Sequence, residues 1–439
     1  MKRILTWIAA LLGLAIVGNT MMAWRVSSQQ NARLAAIRAA GLPASIAELR
    51  PAPVPDSLNA AAVIESAAPT INAFGGSQVN FLDRTPLGKA YDQINGEQLP
   101  TVEQAAAMRA ILDQHAPLDA AITQATACNI WASRADFTLD HQNFLATGIN
   151  GIGTFRGAVR YAAWQIVVLA REGKTDDAVR RGVDVLKLAR LHESEPMLVS
   201  YLVTIAVRGV AVDSLNKALR SGPVSAEVRA TLDAELARAD DSQSFAKMLV
   251  TERAVALQSM DAATSQVPPL VVSWLAWPVK QKFMGAYDMF DEIVVEAQQP
   301  WSQFRRAVIH GGLANNPHGV LGDLLLPALQ AGVQARDRDL TQIRALRVLN
   351  ALQAFAEAQG REASGLTDLG MPREATVDPY SDRPLLLKPT DDGWIVYGVS
   401  ENQRDDGGTL NDRRLDVGLG PMSDAADVEE EPAEAADDE

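Results

Sequence analysis

The sequence predicts a mainly α-helical protein with one apolar N-terminal helix and a small α+β unit near its C-terminus. Three observations carry this. Hydrophobic residues make up 47% of the 439 residues and aromatics only 5%, with alanine abundant, a balance that favours helix over sheet. Apolar residues recur at three- and four-residue spacing through most of the chain. Near the end, "TVDPYSDRPLLLKPTDDGWIVYGVSENQRDDGG" (376–408) changes to short β-prone runs punctuated by Pro, Asp and Gly. A chain of this length divides naturally into several units. The expected division is a transmembrane anchor at 1–24, a stalk or linker at 25–55, an α-helical extracytoplasmic domain at 56–330, a helix plus small antiparallel sheet at 331–422, and a disordered acidic tail at 423–439.

The first element opens with Lys2 and Arg3 and then runs uncharged from Ile4 to Trp24. That run matches the ~20 residues an α-helix needs to cross ~30 Å of hydrocarbon. Trp7 and Trp24 suit the two interfaces. A cleaved signal peptide would have a shorter apolar region and a small-x-small cleavage site, which "NTMMAW" matches poorly. The expected topology is a single pass through the inner (cytoplasmic) membrane with the bulk of the chain extracytoplasmic, or periplasmic, although Arg25, Arg33 and Arg38 partly balance the basic N-terminus. "SSQQNARLAAIRAAG" extends the same helix until Gly41 and Pro43 stop it.

Charge and cysteine content narrow the partners. The formal net charge is −14 and the pI near 4.9, which excludes a basic face for nucleic acid. Nine of the acids sit in the tail from Ser423 to Glu439, which reads as solvated and disordered, so the remainder is only mildly acidic. A single cysteine, Cys128, rules out an intramolecular disulfide; its helical, apolar context reads as a small buried side chain.

Within the body, Asp56 is the expected N-cap of a helix beginning near Ser57. "TVEQAAAMRAILDQHAPLDAAITQATA" (101–127) reads as two helices separated at Pro117. "LAREGKTDDAVRRGVDVLKLAR" reads as a helix ending at Gly173 and a second from Thr175, with a third beginning near Pro196. This unit resembles tetratricopeptide-like hairpins, without a repeating array of ~34 residues. Leu198–Val212 is apolar on most faces but contains Arg208 and suits a buried central helix. Around Trp274 and Trp277 the proline-broken apolar run reads as core packing, with contact at a bilayer surface as the alternative.

Signals for catalysis are weak. None of His115, His141, His192, His310 and His318 forms a metal-ligand pair at helical spacing, and "LHESEP" around His192 lacks the second histidine of a zinc-protease motif. His310 and His318 share a glycine-rich loop that reads as plain polar chain. No G-x-S-x-G, P-loop or dinucleotide fingerprint is present. The acids at 240–241 and in "RDRD" (336–339) read as solvated helix faces.

In the last unit, Ile343, Leu346, Leu349, Leu352 and Phe355 form an apolar stripe closed by Gly360. Expected strands are Pro384–Lys388, Trp394–Ser400 and Leu415–Leu419, with Asp392-Gly393 in a tight turn. On Ala345, Leu346, Ala351, Leu352, Gly360, Leu366, Leu369, Pro372, Asp378-Pro379-Tyr380, Pro384-Leu385, Asp392-Gly393, Val396-Tyr397, Val399 and Asp405-Asp406-Gly407-Gly408, residues 341–420 resemble the globular domain of type II secretion pseudopilins and type IV pilins. No prepilin peptidase site precedes the helix, which argues against assembly into a pilus. The resemblance implies calcium in the loop after the last hairpin, with Asp405, Asp406, Asp412 and Asp416 as oxygen donors, although Arg413 and Arg414 intrude. A second resemblance, on Gly41, Pro43, Ser45, Glu48 and Leu49 followed by Pro55, Asn59, Ala60 and Ala61, is to uncharacterised membrane-anchored proteins of planctomycete-type bacteria.

These readings lead to the expectation of a non-enzymatic, membrane-anchored scaffold or interaction protein of the cell envelope, linked to secretion, with other envelope proteins as partners and no cofactor beyond calcium. The alternative is an envelope hydrolase using an unrecognised site.

Overall fold

The computed structural model describes residues 2–93, 98–241, 243–265, 301–311, 319–410 and 414–421, together with 277, 281, 285, 288–297, 299 and 412. The tail from 423, Trp274 and His318 lie outside the described residues. The chain is mainly helical and ends in a three-stranded sheet.

Helix α1 (Lys2–Ala39) runs without a break through the boundary expected at 24–25, and Gly41 follows it at φ 72°. The side chains of 1–6, 8–10 and 12 lie outside the described residues. Of the rest of the uncharged run, Trp7, Leu11, Leu14, Val17, Met21 and Trp24 are exposed. Burial begins at Val26 and Gln30, and Ile37 joins Ala44 and Leu257 in a small apolar cluster. The second half of α1 therefore docks on the body, and nearer its start Asn19 accepts a hydrogen bond from the Trp277 indole.

The body begins with α2 (Ala60–Ser66), α3 (Ala68–Arg84) and α4 (Pro86–Gln93). Its next pair, α5 (Val102–Gln114) and α6 (Pro117–Ala127), divides at Pro117 as expected. Thr101 and Gln104 close a capping box over α5, with amide-to-side-chain bonds of 3.2 and 2.8 Å. Helices α7 (His141–Arg171), α8 (Thr175–His192) and α9 (Leu198–Ser221) follow, close to the expected boundaries, and each packs on the other two. Gly173, at φ 75°, makes the left-handed turn between α7 and α8 that a side chain would resist. Next come α10 (Ala226–Ala239), α11 (Gln243–Ser265) and α12 (Trp301–Ile309).

By length and composition α9 is the helix, among the described residues, that could cross a membrane. Half of its most apolar window is buried inside the protein, and α7, α8 and the C-terminal helix cover it. It also carries Arg208, which is 1% exposed. A guanidinium sealed among protein groups belongs to a core helix rather than one facing lipid.

The C-terminal helix α13 (Gly319–Gln359) crosses the expected boundary at 330 and packs on both α9 and α10. Its stripe of Ile343, Leu346, Leu349 and Leu352 is buried, and Gly360 closes it at φ 65°. The sheet lies against it in the order β1 (Leu386–Thr390), β2 (Gly393–Gly398), β3 (Val417–Leu419), all antiparallel. Leu386 pairs with Tyr397 and Thr390 with Gly393, so Asp391-Asp392 form a two-residue turn, with the positive φ, 117°, at Gly393. One apolar cluster contains Leu186, Leu215 and Leu232 of the body together with Leu385, Val396 and Leu419 of the sheet unit. Arg220 donates to the Trp394 carbonyl at 2.7 Å and Asn216 to that of Gly420 at 3.0 Å, fastening the sheet to α9.

Of the acids read from sequence as solvated, Asp337 and Asp339 are buried and Asp240 and Asp241 are half-buried. Asp339 pairs with Arg208 at 2.6 Å, and Glu193 pairs with the same guanidinium. Asp337 pairs with Arg305 and accepts from the Trp301 indole. Arg336 donates to the Asp241 carbonyl at 2.7 Å and lies over the Trp301 ring. Asp240 takes Arg344 bidentately at 2.8 and 3.0 Å. The reason is tertiary: α9 and α12 bring arginines to α13, and burial of Asp337 and Asp339 is tolerated because Arg305 and Arg208 pair with them.

Candidate functional site

The best-formed site in the helical body is a cavity of about 250 Å³ between α2, the segment 131–135, α7 and the turn joining α8 to α9. Its entrance depends on Asn59, which replaces the expected Asp56 as N-cap of α2. The Asn59 side chain accepts from the Ala61 and Ala132 amides and donates to the Ala132 carbonyl, a combination that a carboxylate cannot make. That pairing holds 130–132 beside α2. Asp56 instead joins Glu65 on Arg134 at the mouth, at 2.9 and 2.8 Å.

The inner wall consists of His192, Glu195 and Ser200, with the Trp131 indole beside them. His192 closes α8 and is 2% exposed; Phe155 stacks on its ring at 4.1 Å and Trp131 meets it edge-on at 4.9 Å. Burial holds this imidazole down at about 3, so it is neutral at physiological pH. Thr204 donates its single hydroxyl proton to the Ser200 carbonyl at 3.0 Å, which makes His192 Nδ1 the donor in the 2.7 Å contact with Thr204 Oγ1. The lone pair then sits on Nε2.

Glu195 accepts from Trp131 Nε1 at 2.7 Å, and burial pushes its carboxyl above the usual range. Ser200 Oγ is buried without a hydrogen-bond partner. Across the cavity, a Cβ added at Gly151 of α7 would meet nothing within 4 Å.

The four aspartates expected to hold calcium all accept hydrogen bonds within the loop that follows β2. Asp416 is buried, and its two oxygens accept from the Asp406 amide at 3.2 and 3.0 Å and from the Gly408 amide at 2.7 Å. Asp405 accepts from the Gly407 amide and the Tyr397 hydroxyl, Asp406 from Asn402, and Asp412 from the Arg414 amide. Burial raises the Asp416 carboxyl, with Asp405 and Asp406 nearby adding to the rise. Among the described residues no three His, Cys, Asp or Glu side chains converge as metal ligands. These hydrogen bonds tie the loop after β2 to its own backbone amides. Asp416→Ala would strand two amides and is expected to cost about 2 kcal/mol or more in thermal unfolding.

Asp378 plays the same part earlier in the unit, accepting from Tyr380 N, Ser381 Oγ and Val399 N. Beside it a second cavity, of about 330 Å³, opens between α12 and the 378–384 loop, lined by both charge signs. Cys128 is free and buried, as expected, and burial raises its thiol. His115 contacts Ser77 Oγ at 3.0 Å, and His310 is exposed just beyond α12.

His192, Glu195 and Ser200 are close in sequence at the turn from α8 to α9, but no motif marked them, and Trp131 and Phe155 meet them only on folding. No family model, curated protein or solved structure matches the chain.

Proposed function

We propose that this is a single-span protein of the inner membrane whose helical body and sheet unit lie outside the cytoplasm and bind other components of the cell envelope. The observation that carries this reading is the row of exposed apolar side chains on α1, among them Trp7, Leu11, Leu14, Val17, Met21 and Trp24, which a bilayer would bury. The run is bracketed by Trp7 and Trp24, both exposed, at a separation that suits the two interfaces. The likeness of 341–420 to pseudopilin globular domains supports a place near a secretion apparatus, with the sheet unit as the contact. The tetratricopeptide-like character of the α7–α8 hairpin adds a second surface for protein partners.

An envelope hydrolase is the second reading, and the His192–Glu195 cavity is what favours it. A histidine held at about 3 is a poor general base at neutral pH, and its Nδ1 faces a threonine rather than an orienting carboxylate. Binding accounts better for these groups.

The test is fractionation and topology in native cells. The full chain is expected to stay in membranes washed with alkaline carbonate, to lose that retention when 1–24 are deleted, and to be digested by protease added outside spheroplasts. Release of the intact chain by carbonate, or protection of its body from external protease, would overturn the reading. Crosslinking followed by mass spectrometry then identifies the partners, with secretion components expected among them.

A further inference from the structure

We propose that the cavity lined by His192, Glu195, Ser200 and Trp131 is a binding site for a small organic cation, a primary or secondary ammonium carried on an apolar body.

The inner wall is rich in acceptors. His192 Nε2 offers a lone pair, because Nδ1 carries the proton given to Thr204. Glu195 accepts from the Trp131 indole and from the Ser133 side chain, and no cation of the protein pairs with it among the described residues. Ser200 Oγ, on a residue 1% exposed, is buried and has no hydrogen-bond partner. An ammonium supplies what this wall lacks: several N–H donors and one positive charge against a carboxylate.

The remaining walls agree with such a ligand. Trp131 offers an aromatic ring of the kind that attracts cations. Ile64 and Ile152 supply apolar surface for the body of the molecule. At the mouth one guanidinium, Arg134, faces two carboxylates, Asp56 and Glu65, so the entrance carries an excess of negative charge that favours cations over anions. Gly151 leaves open the space that a side chain on α7 would occupy. A volume of about 250 Å³ suits a ligand of modest size, below that of most drug-sized molecules. The inference does not depend on the membrane placement of α1.

The experiment is calorimetric titration of the detergent-solubilised full chain with three probes of one size: phenethylamine, phenethyl alcohol and phenylacetate. The amine is expected to bind about tenfold or more tightly than the alcohol, and phenylacetate weakest. Glu195→Gln, which keeps an oxygen for the Trp131 indole, should remove most of the preference for amine over alcohol. Gly151→Leu should abolish binding of all three without lowering the melting temperature, since its side chain enters open space on a helix that gains propensity. If Glu195→Gln fails to fold, Gly151→Leu decides. The proposal is overturned if the alcohol or phenylacetate binds as well as the amine, if amine binding survives Gly151→Leu, or if no amine binding is detected at millimolar concentration.

Discussion

Replacing Arg208 by methionine is expected to destabilise the protein by about 3–5 kcal/mol, among the largest losses available to a single substitution here. The guanidinium is 1% exposed and sits between Asp339 at 2.6 Å and Glu193, which are themselves largely buried. Removing it leaves two carboxylates in a low-dielectric interior without their cation, and most of the cost is that desolvation rather than a lost attraction. A hydrophobic replacement of the partner should therefore restore stability: Arg208→Met with Asp339→Leu is expected to be more stable than Arg208→Met alone. Chemical denaturation of the full chain in detergent measures both. Two singles and a double that simply add would show that the three groups are not coupled.

His192 predicts a pH dependence of the opposite origin. Its folded value is about 3 against 6.5 for a free imidazole, so between these pH values the unfolded chain binds the extra proton. Stability from this group is therefore complete above about pH 6.5 and is lost progressively as the pH falls towards 3. At pH 5 the loss is about 2 kcal/mol, from 1.5 units at 1.36 kcal/mol each. Buried acids such as Glu195 and Asp339 are raised and act in the reverse sense, so the whole-protein profile mixes the two. The difference between the native chain and His192→Gln isolates the histidine. The variant should cost about 2 kcal/mol less at pH 5 than at pH 7, and an unchanged difference would mean that His192 is solvated in the native state.

Much of the local structure was legible before folding. The ends of α7, α8 and α9 followed from Gly173, the acids opening α8 and the proline at 196, because capping and turn chemistry act over a few residues. The stripe on α13 followed from a period of 3.6, and the hairpin from Asp-Gly turn chemistry, although its two-residue turn is Asp391-Asp392 rather than Asp392-Gly393. Charge was where reading along the chain failed. "RDRD" has the composition of a solvated face, yet Asp337 and Asp339 are buried because arginines from α12 and α9 neutralise them. The N-cap of α2 failed similarly: Asp56 is a good capping residue, but Asn59 can also donate, and the neighbouring segment required a donor.

The sequence by itself determined the helical class, the apolar N-terminal run, the small C-terminal sheet and several helix ends, since these depend on contacts within a turn or a hairpin. Only the tertiary structure decided that the sheet shares a core with the body, that the aspartates after the last hairpin serve backbone amides, and that His192, Glu195 and Ser200 line one cavity. The physical reason is range. Propensity and periodicity are properties of near neighbours in the chain, whereas burial and charge pairing are set by residues on different elements, such as Arg208 and Asp339 at 131 positions apart, that only packing brings together.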